Sequence, residues 1–395
     1  MGGSLVGLTA ALTLRDIGCD VDVYERSPQA LEGRGVGIVL HPTTLRYVLE
    51  REVLDLDHVG TVADVHRYLD NQGNTLIETP IEHRFTGYNT LYRALLGAFG
   101  AERYHLDHEV VSFDQDQDQV AVTFASGRVE HVDLLVAADG IRSRARSLLL
   151  PDVHPQYAGY VAWRGVADER ELTPETLASL APALTYFVRP FSHALVYAIP
   201  NYDGSVKPGT RLQNIVWYRN VATGDEFDAL FTDTAGQRRT LSLPPGMVKP
   251  EFVDALRADA VRELPPQMAE VVQRAGEPFL QALFDVEIPK MAFGRVCLVG
   301  DAAFGVRPHA AAATAKGASD AWALAESLAA TGGDVPAALR RWEPGQLAVG
   351  RNLLERTRSM GRQSQVDNTW SPGDPSLAFG LAQAGDSASP VRKRG

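Results

Sequence analysis

The chain of 395 residues is 45% hydrophobic and 22% charged, and its formal net charge is −11. This composition is typical of a protein that buries a core and is long enough for two domains. The negative charge argues against nucleic acid and an anionic membrane as main partners, since both require basic surfaces. The sequence has no apolar run of membrane-spanning length and opens without a signal segment, so we expect a cytoplasmic protein with no membrane partner.

The two cysteines, Cys19 and Cys297, lie beside or within predicted core elements. We therefore predict two buried, reduced thiols rather than a disulfide framework, which would use more cysteines. Because no Cys and His residues have the spacing of zinc ligands, we predict no metal site. The pair His105 and His108 is interpreted as solvated.

The first 26 residues combine a glycine turn, an amphipathic helix and an apolar strand that ends in Glu25. This order is that of the βαβ dinucleotide-binding unit, with Ser4 in place of its second glycine. Its glycines, among them Gly2 and Gly7, let the backbone approach a pyrophosphate at a helix N-terminus, and Glu25 is placed to accept hydrogen bonds from a ribose. Taken alone, the turn fits an ordinary helix cap equally well.

The strand that precedes the turn in this unit is absent, because the sequence starts at Met1. That strand is central in the fold, so its loss would leave two unpaired inner edges. We therefore expect about ten further residues upstream, or a misplaced start.

Residues 33–42 are rich in glycine and apolar residues, which fits either a β-turn or a loop whose backbone passes close to a flat ligand. Apolar spacing predicts a helix over residues 43–51. Alternating residues between 62 and 78 predict short strands joined by a hairpin turn at 71–74.

A helix is predicted from Asn89 to Phe99, with Asn89 or Thr90 as its cap. Its Arg93 is either a surface residue or a phosphate ligand. Residues 110–131 are predicted to form paired strands, with a turn at Ser126-Gly127.

A fully apolar run over residues 132–138 predicts a buried parallel strand, which ends at Asp139-Gly140 and is followed by a helix from Ser143 to Leu149. Between residues 157 and 252 the runs are aromatic and β-branched, with turn residues between them. We interpret them as one antiparallel sheet that forms a separate substrate domain, although any one aromatic residue there is more often core packing.

A second buried strand leads into Gly300-Asp301 and then into Pro308. The alanine-rich helix that follows, from about Ala311 to Ala330, presents its N-terminus to an anion or a polar ring. Another helix is predicted over residues 335–362, with a kink at Pro344. In the tail beyond Asp367 we expect the last ten residues to be poorly ordered.

Together, three separated motifs resemble the signatures of the FAD-dependent aromatic hydroxylases, the flavoprotein monooxygenases similar to p-hydroxybenzoate hydroxylase. These motifs are the glycine turn with Glu25, the strand with Asp139-Gly140, and the Gly300-Asp301-Ala302-Ala303 segment with Pro308. The resemblance spans nearly the whole chain and, within the family, is greatest to the hydroxypyridine hydroxylases.

The resemblance implies an α/β fold, with a Rossmann-like FAD-binding domain, an inserted mostly antiparallel substrate sheet and C-terminal helices. We assign residues 1–61, 84–156 and 275–340 to the FAD-binding domain, 62–83 and 157–274 to the substrate domain, and 341–395 to the C-terminal helix and tail.

It also implies the activity. NADH or NADPH is the transient reductant of FAD, O2 is the co-substrate, and a flavin C4a-hydroperoxide hydroxylates a small electron-rich aromatic or hydroxypyridine ring. A homodimer is expected because family members are often dimers. The alternatives are a nicotinamide dehydrogenase, which the N-terminal unit alone would suggest, another flavoprotein such as an oxidase, reductase or halogenase, and a non-catalytic flavin-binding protein.

Carried over by position, the family's cofactor-binding residues are Gly2, Ser4, Gly7, Glu25, Arg26, Gly37, Arg93, Asp139, Gly140, Asp301, Pro308, Ala311 and Ala312. The resemblance places Glu25 at the adenosine ribose, Asp301 at the ribityl chain, and the turn from Pro308 to Ala312 against the isoalloxazine ring. Gly35 and Gly37 belong to the loop that lets that ring move.

For contacts with the substrate ring we predict His309, His193, Tyr197 and Trp217, since a small planar substrate needs aromatic walls around a polar contact. A lone histidine is more often structural, but the place of His309 beside the flavin turn favours it. The family's Gly-x-Gly after the proline is replaced here by three alanines, residues 311–313, which costs backbone freedom but keeps the N–H donors.

Overall fold

The computed structural model describes residues 1–32 and 37–388. Its α-helices are α1 (Leu5–Asp16), α2 (Pro42–Glu50), α3 (Leu56–Val59), α4 (Tyr88–Phe99), α5 (Arg144–Leu149), α6 (Pro174–Leu180), α7 (Asp225–Leu230), α8 (Pro250–Glu263), α9 (Pro266–Arg274), α10 (Ala313–Ala330) and α11 (Val335–Gln365). Its strands are β1 (Val23–Tyr24), β2 (Gly37–Val39), β3 (Thr61–Leu69), β4 (Thr75–Gly87), β5 (Tyr104–His105), β6 (Val110–Gln115), β7 (Val120–Phe124), β8 (Val129–Val132), β9 (Leu135–Ala137), β10 (Gln156–Asp168), β11 (Ala183–Arg189), β12 (Ser192–Ile199), β13 (Leu212–Asn220), β14 (Ser242–Leu243), β15 (Phe279–Asp285), β16 (Ala292–Phe293) and β17 (Val296–Leu298).

Two small sheets with parallel pairs surround the glycine turn. β1 pairs with β5 and β9 pairs with β17, both in parallel. Met1 and Gly2 lie between these sheets: the Met1 amino group donates to the Val136 carbonyl at 2.7 Å, and the Gly2 N–H donates to the Tyr24 carbonyl at 2.8 Å. These two residues therefore connect the two sheets.

The large sheet has nine strands in the order β14-β15-β10-β13-β12-β11-β3-β4-β2. Its pairs are antiparallel, except that β3 and β11 run parallel, so the predicted mostly antiparallel sheet is confirmed. The predicted hairpin is also present, because β3 and β4 are joined through residues 70–74. Residues 37–39, 84–87 and 279–285 join this sheet as well, although they were assigned to the FAD-binding domain; the division into domains stays a prediction.

Both faces of the sheet are buried along β10 to β13, so the alternating side chains of these strands are sorted between two cores. Trp163 and Trp217 point into the core shared with α6 to α9. Tyr160 and Tyr218 point into the core shared with α10, α11 and the tail. A side chain's parity along its strand therefore decides which core it enters.

Most of the predicted elements are present within a few residues of their expected limits, as for α2, α5, β9 and the β6-β7-β8 meander. The predicted cap of α4 is wrong. β4 continues to Gly87 and α4 begins at the next residue, so Gly87 is the N-cap. Asn89 and Thr90 consequently lie inside the first turn.

Cys297 is buried and free, as predicted, but the expectation for Cys19 is wrong. Helix α1 ends at Asp16, and Cys19 lies in the exposed turn that follows it.

Helix α10 begins at Ala313 rather than Ala311, because residues 308–310 form a 3-10 turn and Ala311 adopts a left-handed conformation with φ of 52°.

Helix α11 continues through Pro344 to Gln365. The chain beyond it buries Trp370, Leu377 and Phe379 against the large sheet. The last ten residues were expected to be poorly ordered, but Asp386–Ala388 form a 3-10 turn; residues 389–395 lie outside the described part. Residues 33–36, with Gly35, also lie outside it. None of the described helices has the length and apolar character needed to cross a bilayer.

A buried ion pair within α10 holds the segment that follows β17. The Lys316 ammonium lies 2.6 Å from the Asp320 carboxylate, and both side chains are fully buried. The same carboxylate accepts a hydrogen bond of 2.8 Å from the Gly300 N–H. Burial raises the pKa of Asp320, while Lys316 acts in the opposite direction. The pair thus holds the turn that carries Asp301 against α10.

We expect Lys316→Met to lower the free energy of unfolding by about 3–5 kcal/mol, because it leaves the Asp320 charge buried without a partner. Chemical denaturation followed by far-UV circular dichroism measures this loss. The matched control is Lys207→Met, an exposed lysine, for which a change within about 0.5 kcal/mol is expected. Equal stability of the two variants would contradict the assignment.

Candidate active site

Two adjoining cavities form a continuous trough between the glycine turn and the large sheet. The turn cavity, of about 630 Å³, is lined by the glycine turn, the end of β1 and the residues after β9. The sheet cavity, of about 380 Å³, lies between residues 299–314 and the face of β10 to β13. Both are lined by Ser4, Ala138, Gly140, Ile141, Gln281 and Ala282. An extended ligand can therefore occupy both.

The glycine turn is shaped by close backbone approach. A Cβ atom at Gly3 would overlap the Tyr104 hydroxyl, and one at Gly7 would overlap the Gly2 carbonyl. Ser4 is the N-cap of α1, yet its side chain makes no capping hydrogen bond and instead contacts the Tyr88 hydroxyl at 2.8 Å. The first N–H groups of α1 are therefore not occupied by a side-chain cap, which suits an anion at this helix N-terminus.

Two carboxylates organise the turn cavity. Glu25 is buried and accepts hydrogen bonds from the Gly3 N–H at 2.8 Å and the Ser27 N–H at 3.0 Å. Asp139 accepts from the Arg144 N–H at 2.7 Å, at the start of α5, while its Oδ1 atom is buried without a hydrogen-bond partner. An unused buried oxygen in this position fits a ligand donor.

Arginines surround the same cavity. Arg26, Arg142, Arg144 and Arg239 line it. The pKa of Arg142 is lowered by burial and by the neighbouring charges of Arg26 and Arg239. Such mutual repulsion is relieved when an anion binds among the guanidinium groups. The turn cavity therefore fits the pyrophosphate and adenosine of a dinucleotide.

The floor of the sheet cavity is the segment after β17. Asp301, Pro308, Ala311 and Ala312 line it. Burial raises the pKa of Asp301, against the attraction of Lys316. The left-handed conformation of Ala311 costs roughly 1–2 kcal/mol, which a glycine would avoid. The alanine substitutions thus keep the turn and its N–H donors at an energetic cost.

Histidine and tyrosine side chains form a polar wall of the same cavity, to which the floor segment contributes His309 and β12 and β13 contribute His193, Tyr197 and Tyr218. His309 Nε2 lies 2.6 Å from the Tyr160 hydroxyl, while its Nδ1 atom is buried and has no hydrogen-bond partner. His193 Nδ1 lies 2.5 Å from the Ser364 hydroxyl. The Tyr218 ring is 4.5 Å from the His193 ring and 4.8 Å from the His309 ring. The two histidines therefore flank one phenol.

Burial determines the charge state of this wall. It lowers the pKa of His193 to about 3 and the pKa of His309 well below its usual value. Burial also raises the pKa of Tyr197, and it raises that of Tyr218 to about 12. Near neutral pH the wall therefore consists of neutral imidazoles and protonated phenols, which donate and accept hydrogen bonds without carrying charge.

Most of the predicted site residues meet along the trough. Those that line it are Gly2, Ser4, Glu25, Arg26, Gly37, Asp139, Gly140, Asp301, Pro308, Ala311, Ala312, His193, Tyr197 and His309. Gly37 lies against Tyr197, since a Cβ there would be 2.6 Å from the Tyr197 hydroxyl. Gly7 supports the turn from beneath without lining either cavity.

Two predicted residues lie elsewhere. Arg93 is exposed and forms a bidentate pair with Glu32, at 2.9 and 2.6 Å. Trp217 points to the opposite face of the large sheet, where its Nε1 donates to the Ser192 hydroxyl at 3.0 Å. The geometry gives no support to a substrate contact by Trp217.

Arg164, Tyr186, Tyr218 and Phe379 line the sheet cavity but were not predicted as site residues. Strand parity carries a signal for Tyr218. It pairs across the sheet with His193, whereas Trp217 pairs with Ala194, and paired residues share a face. The contact of Phe379 depends on how the tail returns to the sheet, for which the sequence carries no local signal.

The fold and this trough define a flavoprotein of the FAD-dependent aromatic hydroxylase class, and comparisons with known proteins agree. Residues 1–173 match the family described as FAD binding domain, and residues 157–285 match one described as FAD binding domain-like. The chain belongs to the FAD-dependent aromatic hydroxylases, the flavoprotein monooxygenases similar to p-hydroxybenzoate hydroxylase. FAD is therefore its cofactor, and the nicotinamide dehydrogenase alternative is removed.

Individual relatives are similar along nearly the whole chain. The 2,6-dihydroxypyridine 3-monooxygenase of Paenarthrobacter nicotinovorans is 37% identical, over 96% of this chain and 94% of the relative. A 6-hydroxynicotinate 3-monooxygenase of Bordetella bronchiseptica is 27% identical, over 96% of this chain and 94% of the relative. The solved structure of 2,6-dihydroxypyridine-3-hydroxylase from Arthrobacter nicotinovorans superposes with a TM-score of 0.91 at 37% identity, covering 97% of this chain and 96% of that one.

We expect Gly3→Ala to weaken FAD binding about tenfold or more, since the overlap with Tyr104 forces the turn away from the ligand and a tenfold change needs only ~1.4 kcal/mol. FAD titration of the apoprotein measures the dissociation constant. Gly97→Ala is the matched control: its Cβ meets nothing within 4 Å inside α4, so FAD affinity is expected to stay unchanged. Unchanged affinity in Gly3→Ala would refute the role of the turn.

We also expect the free energy of unfolding to fall as the pH drops below about 6.5. Burial lowers the pKa of His66 to about 3 and that of His83 to about 4. The unfolded chain therefore binds more protons than the folded chain between these values and about 6.5, with a slope that rises to about 1.4 kcal/mol per histidine and pH unit as the pH falls below 6.5. Denaturation at pH 6.5 and 5.5 measures the slope.

His66→Phe is expected to remove the contribution of one histidine to this slope. The His66 ring lies among Tyr186, His83 and Phe379, and its Nε2 atom has no hydrogen-bond partner. The exposed His154, replaced by Phe, serves as the control and should leave the slope unchanged. Identical slopes for His66→Phe and wild type would be inconsistent with a neutral buried His66.

Proposed function

We propose that this protein hydroxylates a small hydroxypyridine or related phenolic ring, using NADH or NADPH and O2. The observation that carries the proposal is the sheet cavity, which neutral His193 and His309 and protonated Tyr197 and Tyr218 line together with Asp301, Pro308 and Ala312. A hydroxylated planar ring fits between an aromatic polar wall and a flat cofactor. The relatives named for hydroxypyridine substrates support this choice.

The residues of the trough are suited to FAD along its whole length. Gly2, Ser4, Glu25 and Arg26 would hold the adenosine and pyrophosphate, and Asp301 would hold the ribityl chain. The remaining residues proposed to contact FAD are Gly37, Asp139, Gly140, Pro308, Ala311 and Ala312, while Gly7 would act by shaping the turn. Arg93, which lies outside the trough, is not proposed as a contact. When bound, FAD accepts a hydride from the nicotinamide cofactor and activates O2 so that one oxygen atom reaches the ring.

The protein's own contribution is to control a proton and exclude water. In the tautomer in which His309 Nε2 carries the hydrogen atom, Nε2–H donates a hydrogen bond to the Tyr160 hydroxyl. The Nδ1 atom then has a free lone pair. That atom can accept the proton of a ring hydroxyl, which increases the electron density of the ring. His193 and Tyr197 would orient the ring from β12. Aromatic side chains such as Tyr186 and Phe379 enclose the cavity and limit the access of water.

We further propose a cytoplasmic homodimer without a nucleic-acid or membrane partner, with residues 1–61, 84–156 and 275–340 as the FAD-binding domain and residues 62–83 and 157–274 as the substrate domain. The net charge of −11 supports the absence of nucleic acid as a partner. The resemblance to the family supports the dimer.

In a substrate screen, we expect 2,6-dihydroxypyridine or 6-hydroxynicotinate to stimulate NAD(P)H oxidation. The amount of hydroxylated product should match the amount of NAD(P)H consumed. NADH and NADPH are compared side by side, with simple phenols in parallel. We expect His309→Gln to lower kcat by about 100-fold or more, as for loss of a general base, while FAD content stays at the wild-type level.

His154→Gln is the control and should retain wild-type kcat, since His154 is exposed and remote from the trough. FAD-containing protein that oxidises NAD(P)H in air without stimulation by any ring would contradict the proposal and favour an oxidase or a non-catalytic flavoprotein. If only simple phenols stimulate NAD(P)H oxidation, hydroxypyridines are rejected as the substrate class and the proposed hydroxylation itself stands.

A further inference from the structure

Arg164 is a buried cation in the sheet cavity that the proposed chemistry does not use. It lies on β10, on the same face as Tyr160 and Ala162, and is 8% exposed. It lines the sheet cavity, and its Nε atom has no hydrogen-bond partner. Within residues 1–32 and 37–388, no carboxylate forms an ion pair with it.

The charged and titratable groups around Arg164 leave its charge uncompensated. Arg164 lowers the pKa values of Tyr197 and Tyr218 against the larger effect of burial. The other titratable groups of the cavity lining are Tyr88, Tyr186, His193, His309 and Asp301. The histidines are neutral, and Asp301, on the floor, is balanced by Lys316 and Arg146.

A buried guanidinium without a counter-ion costs several kcal/mol, and this cost is offset when a ligand supplies the negative charge. An aromatic hydroxyl can supply that charge by losing its proton. His309 Nδ1, buried and without a partner, is an acceptor for the proton in the same cavity. The cation and the proton acceptor thus face one ligand.

Building on the proposed function, we propose that Arg164 is the counter-ion that makes the cavity select its ring substrate as the oxyanion. The O–H bond of the ring hydroxyl breaks, the proton passes to Nδ1 of the neutral His309, which becomes an imidazolium, and the electron pair stays on the ring oxygen. The oxyanion is then balanced by that imidazolium and the Arg164 guanidinium together. Arg164 is therefore a residue that determines specificity for rings with an ionisable hydroxyl.

The test uses the oxidised, FAD-loaded enzyme without O2 or NAD(P)H, so that binding is measured without turnover. The absorbance of bound 2,6-dihydroxypyridine is followed against pH, and its dissociation constant is measured by titration. For wild type we expect the hydroxyl to ionise at least one pH unit lower when bound than when free, an approximately tenfold preference for the anion.

In Arg164→Met we expect this shift to disappear and the dissociation constant to rise about tenfold, with FAD content unchanged. Arg164→Lys keeps the charge and should recover part of both effects. Arg262→Met removes an exposed arginine and should behave as wild type. If Arg164→Met fails to fold, the proposal is still tested by the pH at which the bound hydroxyl ionises in wild type and in Arg164→Lys.

The inference is overturned if wild type binds the neutral ring, or if a folded Arg164→Met retains the shift and the affinity. It is also overturned if that variant loses FAD, which would place the guanidinium at the cofactor. Benzoate, which has a carboxylate and no hydroxyl, is titrated in parallel. If Arg164→Met loses the binding of benzoate but keeps that of 2,6-dihydroxypyridine, Arg164 binds a carboxylate rather than a ring oxyanion. If no ring binds wild type or stimulates NAD(P)H oxidation, the proposed function itself fails.

Discussion

The buried pair of Lys316 and Asp320 determines where the two halves of the trough meet. The Asp320 carboxylate holds the Gly300 N–H, and so fixes the turn that carries Asp301. One residue after Lys316, the absent side chain of Gly317 lets α10 approach Val6 of α1, since a Cβ there would overlap it. The same turn of α10 therefore positions both the glycine turn and the floor of the sheet cavity. An apolar pair would pack equally well, but it would not hold the Gly300 N–H.

The large sheet performs the complementary task of presenting side chains from four adjacent strands on one face. Arg164, Tyr186, His193 and Tyr218 come from β10, β11, β12 and β13 respectively. Because these four strands are covered on both sides, their alternate residues are fixed in the other core, as Trp217 is. Each functional side chain is thus supported by a packed neighbour, which limits the movement of the polar wall.

Much of this arrangement could be predicted from local sequence, and the failures have physical reasons. Both apolar parallel strands, β9 and β17, with the turns at Asp139 and Asp301, were predicted because fully buried strands that end in a Gly or Asp turn are distinctive. The cap of α4 was not, because propensity favours Asn89 over Gly87 unless the length of β4 is known. Arg164 was missed because a lone arginine in an apolar strand has no local signature. Its proposed role depends on no carboxylate of the described residues forming an ion pair with it, which only the tertiary fold determines.

The net charge of −11 describes the protein as a whole and gives no indication of the charge at the site. Acidic groups on the surface act through solvent, where salt screens charges beyond about 8–10 Å. Inside the trough the dielectric response is weaker, so a few fixed groups dominate. Arg26 and Arg142 line the turn cavity and Arg164 lines the sheet cavity, where His193 and His309 are held neutral by burial. Both cavities of one trough therefore carry local positive charge in a protein with excess negative charge, as the proposed phosphate and ring oxyanion require.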